Sequence, residues 1–184
     1  MTVPARGAMP GPDGLLRCPW ALGTADYSAY HDQEWGRPVR GDAGIFERLS
    51  LEAFQSGLSW LTILRKRENF RAAFGPADEE RLLADPGIVR NRAKIRAVIG
   101  NARAALTVPG GLAALVWRYA AGAQPAPVTV ADVPAQTPAS RACARELRKL
   151  GFSFVGPVTV YAAFQACGVV DDHLAGCFCR RARR

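Results

Sequence analysis

The sequence predicts an all-α fold, and three observations carry that reading. Apolar residues recur at helical spacing along most of the chain. No two segments alternate convincingly enough to pair as strands. Late in the chain a six-residue loop with glycine at both ends, Gly151 to Gly156, joins two periodic stretches.

Taken in order, the first 16 residues are rich in Pro and Gly and lack a continuous apolar run, so a disordered N-terminal tail is expected there, with no secretory signal. Over 42–55, Ile45, Leu49 and Glu52 fall at i, i+4 and i+7, which puts a carboxylate on the apolar face of a helix. A second helix follows the Gly57 break, over 58–70. Pro76-Ala77-Asp78 opens a short helix that stops near Asp85-Pro86-Gly87. Ile95, Val98, Ile99, Ala102 and Leu106 mark an amphipathic helix over 90–107, and a short one follows over 112–120. Four prolines make 121–138 a connector lying on the surface. Ala139, Cys143, Leu147 and Leu150 then give one helix face. Beyond the glycine loop, Pro157 opens another helix, at the position where proline is best tolerated. The expected layout is a tail over 1–16, one domain over 17–179 and a basic tail over 180–184.

The chain of 184 residues carries a net charge of +8, and 21 of its 24 basic residues are arginines. A pI near 9.8 favours a polyanionic partner, because basic side chains release counterions from phosphate. No apolar run approaches the roughly 20 residues of a membrane span. Five cysteines without an export signal read as reduced thiols or metal ligands, and a cytoplasmic location is expected.

Three constellations carry chemistry. Trp20, Trp35, Trp60, Tyr27 and Tyr30 share one 41-residue window with Glu52, a set suited to holding one nucleobase by stacking and edge hydrogen bonds. The Gly151–Gly156 loop resembles a helix-hairpin-helix grip on a phosphate strand, with free N–H groups at the following helix start. The chain's two histidines each have a cysteine partner: Cys18 lies thirteen residues before His31, and His173 four before Cys177, a spacing that shares a helix face. Two imidazoles and two thiolates form a closed tetrahedral set for structural Zn²⁺. Cys179 is a rival ligand.

Several runs closely resemble 3-methyladenine DNA glycosylase I. They are Ala29-Tyr30-His31-Asp32-Gln33-Glu34-Trp35-Gly36, Leu51-Glu52 with Gly57-Leu58-Ser59-Trp60, Lys66 to Phe70, Lys94 to Arg103, Gly151-Phe152 with Phe154-Val155-Gly156, and Asp172-His173 with Gly176-Cys177. They are collinear from Cys18 to Cys179. The resemblance implies an all-α helix-hairpin-helix glycosylase fold whose two ends are tied by one zinc on Cys18, His31, His173 and Cys177. It places the base pocket on Tyr30, Glu52 and Trp60, with Trp20, Tyr27 and Trp35 as walls. Leu58 falls on the family's apolar wedge, and Gly151, Phe154 and Gly156 on the DNA-backbone grip.

It further implies a monofunctional enzyme, acting as a monomer on double-stranded DNA with alkylated bases, that hydrolyses the glycosidic bond of 3-methyladenine. Glu52 is the expected recognition carboxylate. Asp171 has two readings, a catalytic carboxylate in the superfamily's Val-Asp-x-His register or a cap for a helix bearing His173. Ala53-Phe54 departs from the family's usual small or polar residues. No lysine follows the hairpin, which disfavours Schiff-base lyase chemistry. A catalytically silent damage-binding protein is the rival from another class.

Overall fold

The computed structural model describes residues 6–75, 78–120, 122 and 124–180. Ten elements matter here: β1 (Met9–Pro10), β2 (Leu16–Arg17), α1 (Ala25–Gln33), α2 (Asp42–Gln55), α3 (Trp60–Ala73), α4 (Glu79–Ala84), α5 (Arg92–Ala105), α6 (Leu112–Trp117), α7 (Pro138–Lys149) and α8 (Pro157–Ala166). Helix starts coincide with side chains that accept free N–H groups. Ser59 takes that of Thr62, Asp78 those of Glu80 and Arg81, Asn91 that of Lys94 and Thr137 that of Ser140.

α2 is the spine. Its Ile45 and Leu49 join a core with Leu112 of α6, Leu147 of α7 and Phe164 of α8. Its Leu51 and Phe54 join a second core with Ile63 and Phe70 of α3 and Ile95 of α5. Ala53 and Phe54, the departure noted above, are both buried in α2. Glu52 lies between the two cores, so the fold leaves a carboxylate where two apolar lobes meet. No helix among the described residues is long and apolar enough to cross a membrane.

The structure departs from expectation at both ends. Residues 9–17 form a small antiparallel pair, Met9 opposite Arg17 and Pro10 opposite Leu16, so the fold is mostly helical rather than purely so. Gly14 at φ +79° turns the chain, and Arg17 bonds both Asp13 and, across fifteen residues, Asp32, tying the turn to α1. Residues 6–16 therefore have defined positions, and 1–5 lie outside the described residues. At the other end Arg180 donates to the carbonyls of Asp171 and His173, at 2.9 and 2.8 Å, so it belongs to the domain. Arg181 to Arg184 lie outside the described residues, as do Pro76 and Ala77. Residues 171–180 are not helical. The spacing of His173 and Cys177 therefore does not reflect a helix face, and Asp171 caps no helix.

Candidate functional site

The aromatic window folds into the wall of one cavity. Thr24 caps α1 by accepting from Tyr27 N, and α1 then points Tyr27 and Tyr30 toward α3. The Tyr27 hydroxyl accepts from Leu61 N at 3.1 Å, which locks α1 onto the first turn of α3, where Trp60 sits. Tyr30 and Trp60 lie 5.3 Å apart between ring centres, tilted by 48°. Trp20 meets Tyr27 and Trp35 edge-on at 5.9 and 5.1 Å. Together with Glu52 these five aromatics line a cavity of about 500 Å³, within the range of small-molecule sites.

Three of its polar groups are unspent. The Tyr30 hydroxyl and Trp60 Nε1 are buried without a partner, and no hydrogen bond among the described residues reaches the Glu52 carboxyl. Each such group costs about 1–3 kcal/mol in a closed fold, so three facing one cavity prepare it for a ligand with a polar edge. Burial pushes the Glu52 carboxyl up to about 8, and Arg48 one turn earlier offsets part of that. Arg48 gives its guanidinium to Glu34 and Glu47 instead of neutralising Glu52. A cationic ring beside Glu52 would restore its ionised form.

Two exposed elements flank the fold's α5 face. Leu58 is 41% exposed on a turn made by Gly57 at φ +81°, with its own N–H on Gln55 O at 2.6 Å. In the loop between α7 and α8, Gly151 adopts φ +92°, Phe152 and Val155 are buried, and Phe154 projects 43% exposed at φ +55°. A left-handed non-glycine residue costs about 1–2 kcal/mol, which marks Phe154 as held there by its surroundings. A side chain at Gly156 would meet nothing within the chain. The described protein itself gives no packing reason for glycine at that position.

The third constellation closes in part, with the rival ligand in place of Cys18. One ligand atom each from His31, His173, Cys177 and Cys179 lie within 4.8 Å of one another, and Cys18 is not in that group. Asp32 accepts from His31 Nδ1 and Asp171 from His173 Nδ1, both at 2.8 Å. This leaves the two Nε2 atoms as donors to a cation, the orientation found around metal-bound histidines. His31 Nε2 stands 3.4 Å from Cys177 Sγ, and His173 Nε2 is buried with no partner. Hydrogen bonds from Cys18 and then His31 hold the Cys177 thiol far below its usual range, and Cys18, bonded to Cys177, is pushed up. The donor set fits a metal. Cys179 Sγ instead faces His31 Nδ1 at 3.8 Å, the nitrogen that Asp32 already holds. Gly36 is required beside this cluster: at φ +75°, a Cβ there would fall 2.6 Å from His173 Cε1.

A methyladenine glycosylase profile matches residues 20–180. The chain belongs to that family. It is 43% identical over 182 residues to DNA-3-methyladenine glycosylase 1 of Escherichia coli K12, covering 90% of this chain and 97% of that protein. The DNA-3-methyladenine glycosylase of Haemophilus influenzae Rd is 37% identical, covering 89% and 97%. A crystal structure of 3-methyladenine DNA glycosylase I superposes with a TM-score of 0.81 at 42% identity, covering 90% of this chain and all of that one. A second structure, a variant of that enzyme class in complex with 3-methyladenine, gives a TM-score of 0.79 at 29% identity, covering 91% and 99%.

Against this family background the sequence missed part of the cavity. Gln55, Gln165 and Asp172 line it, as do Val130 and Val133 from the proline-rich connector. Asp172 accepts from Tyr161 OH at 2.6 Å and from Gln165 Nε2 at 2.8 Å. Asp171, weighed as a catalytic group, is not among the lining residues and turns to His173 and Arg180. The two acids are adjacent in the chain, and nothing in their spacing showed that the second and not the first would line the cavity.

Proposed function

We propose that the protein removes 3-methyladenine from alkylated double-stranded DNA by hydrolysing its N-glycosidic bond, without cutting the strand. One observation carries this reading: a buried carboxyl and two unpartnered polar atoms face a cavity of about 500 Å³ walled on one side by five aromatic residues. A base inside a duplex cannot reach such a cavity, so the nucleotide must leave the stack, at a cost of a few kcal/mol. In this reading Leu58, exposed on its turn, fills the gap it leaves. The Gly151–Gly156 loop and the open start of α8 are the anchor for phosphates.

Methylation at N3 makes the base cationic and weakens its bond to the sugar. Tyr30 and Trp60 attract that ring through their faces, about 0.5–2 kcal/mol per contact. Glu52 loses its proton as the cation arrives and accepts hydrogen bonds from the base edge, a charge-assisted interaction neutral adenine cannot evoke. Water then adds to the anomeric carbon as the carbon–nitrogen bond breaks; the base keeps the bonding pair and leaves neutral, and the added water releases one proton to solvent. An abasic site remains. The chain has no lysine over 157–170, and Lys94 does not line the cavity, so no amine stands ready for a lyase step.

We further propose that zinc is held by His31, His173, Cys177 and Cys18. Cys18 is chosen over Cys179 because it is fully buried on the Cys177 side, toward which His31 Nε2 points. Bound there, the metal would supply structure only, joining the N-terminal turn to the last loop. Asp171 is the positioning partner of His173. The same reading makes the protein a cytoplasmic monomer working on chromosomal DNA. Incubation with methylated duplex DNA and chromatography of the released bases tests the activity: 3-methyladenine is expected in solution, and DNA binding without base release would instead establish a silent damage binder.

A further inference from the structure

α5 reaches both elements that the reading above sets against DNA. Lys94 is buried, and its ammonium donates to Phe54 O at 2.9 Å and to Ser56 O. These carbonyls end α2, where acceptors lack helical partners and a cation is favoured. Gly57 and Leu58 follow at once. Asn101, 2% exposed, donates from Nδ2 to Ser153 O at 2.9 Å and accepts from Ser153 N at 2.8 Å. Ser153 precedes the left-handed Phe154 in the hairpin.

Seven residues separate Lys94 from Asn101, so they share a helix face about 10 Å apart. Each places a polar group beside apolar core, which is costly unless its bonds are made. Neither lines the cavity. Their hydrogen bonds go to main-chain atoms of two segments that are far apart in sequence and adjoin the two exposed tips.

We propose that α5 is a spacer. Lys94 and Asn101 are positioning residues that fix the Leu58 turn and the hairpin at one separation, matched to a duplex held by its backbone while a nucleotide leaves the stack. The inference rests on the glycosylase reading. A wedge displaced by about 1 Å relative to the phosphate grip loses up to about 100-fold in rate.

The test uses the full chain with Lys94→Met and Asn101→Ala, singly and together. Single-turnover excision from methylated duplex is compared with affinity for free 3-methyladenine, read from tryptophan fluorescence. Each single variant is expected to lose about tenfold in excision and keep free-base affinity within about twofold. The double variant is expected to lose no more than about the same tenfold, because one shared separation can be lost only once. Unchanged duplex excision, a parallel fall in free-base affinity, or a double variant that multiplies to about 100-fold would overturn the spacer. Lys94→Gln and Asn101→Asp, which keep part of each bond set, serve where a harsher variant does not fold; about threefold losses are expected, and none would count against the role. Wild-type binding of the free base is measured first, and its absence contradicts the glycosylase reading itself.

Discussion

Glu52 is the residue on which chemistry and stability pull apart. Its folded pKa, near 8, lies above the ordinary value of 4.5. A raised acid contributes stability fully below its unfolded pKa and loses it as pH climbs through the folded one. Wild-type stability is therefore expected to fall between pH 5 and 9 through this group. Glu52→Gln, neutral and of the same shape, lacks that loss. Denaturant unfolding should find the variant near wild type at pH 5 and about 3–5 kcal/mol more stable at pH 9; a constant gap would contradict the buried carboxyl. The proposed zinc site gives a second test at this scale. Cys18→Ser is expected to purify with less than half an equivalent of zinc, and Cys179→Ser with a full one, by elemental analysis. The reverse result would exchange their roles.

Elements were largely legible in the sequence, because apolar period and capping residues act locally. Ile45, Leu49 and Glu52 predicted the buried face of α2, including its carboxylate, and the structure keeps all three inside. The misses came from long-range bonds. The N-terminal segment is ordered by Arg17 reaching Asp32, and the His173–Cys177 segment by convergence on His31, neither of which leaves a periodic trace. Leu106, assigned to the apolar face of α5, is 88% exposed because the helix ends at Ala105. The hairpin carries its own prediction. Phe154 sits in a conformation that glycine adopts freely. Phe154→Gly is expected to leave stability within about 1 kcal/mol of wild type, because relief of strain offsets lost packing, while duplex affinity falls several-fold in a titration. A large stability loss with unchanged affinity would make Phe154 a packing residue only.

At the scale of the molecule, the positive charge is unevenly spent. Most arginines of α3 and α5 are paired with Glu34, Glu47, Glu68, Glu79 or Glu80. On α7, Arg141, Arg145 and Arg148 form an exposed stripe opposite the buried Cys143, Ala144 and Leu147, and no ion pair among the described residues engages them. Glu146 on that helix is occupied by Arg118 and Tyr119. The stripe leads to the hairpin, so its charge adjoins the loop proposed to grip phosphate. Replacing each arginine by alanine should lower the slope of log affinity against log salt by about 0.9, and a slope that does not move would place DNA elsewhere. The composition announced a polyanion partner, but only the fold shows which cations remain free to meet it. The cavity was legible as a list of aromatic residues and one acid. Its closure by the connector was not, since Val130 and Val133 lie in a segment with no periodicity.

The central claim is that this cavity selects a methylated purine through Glu52 and its aromatic walls. Titration of the protein with 3-methyladenine and with adenine, followed by quenching of Trp60 and its neighbours, tests it most directly. Saturable quenching by 3-methyladenine at least about tenfold tighter than by adenine is predicted, with the preference lost in Glu52→Gln. Equal affinity for the two bases, or a preference that survives the substitution, would contradict it.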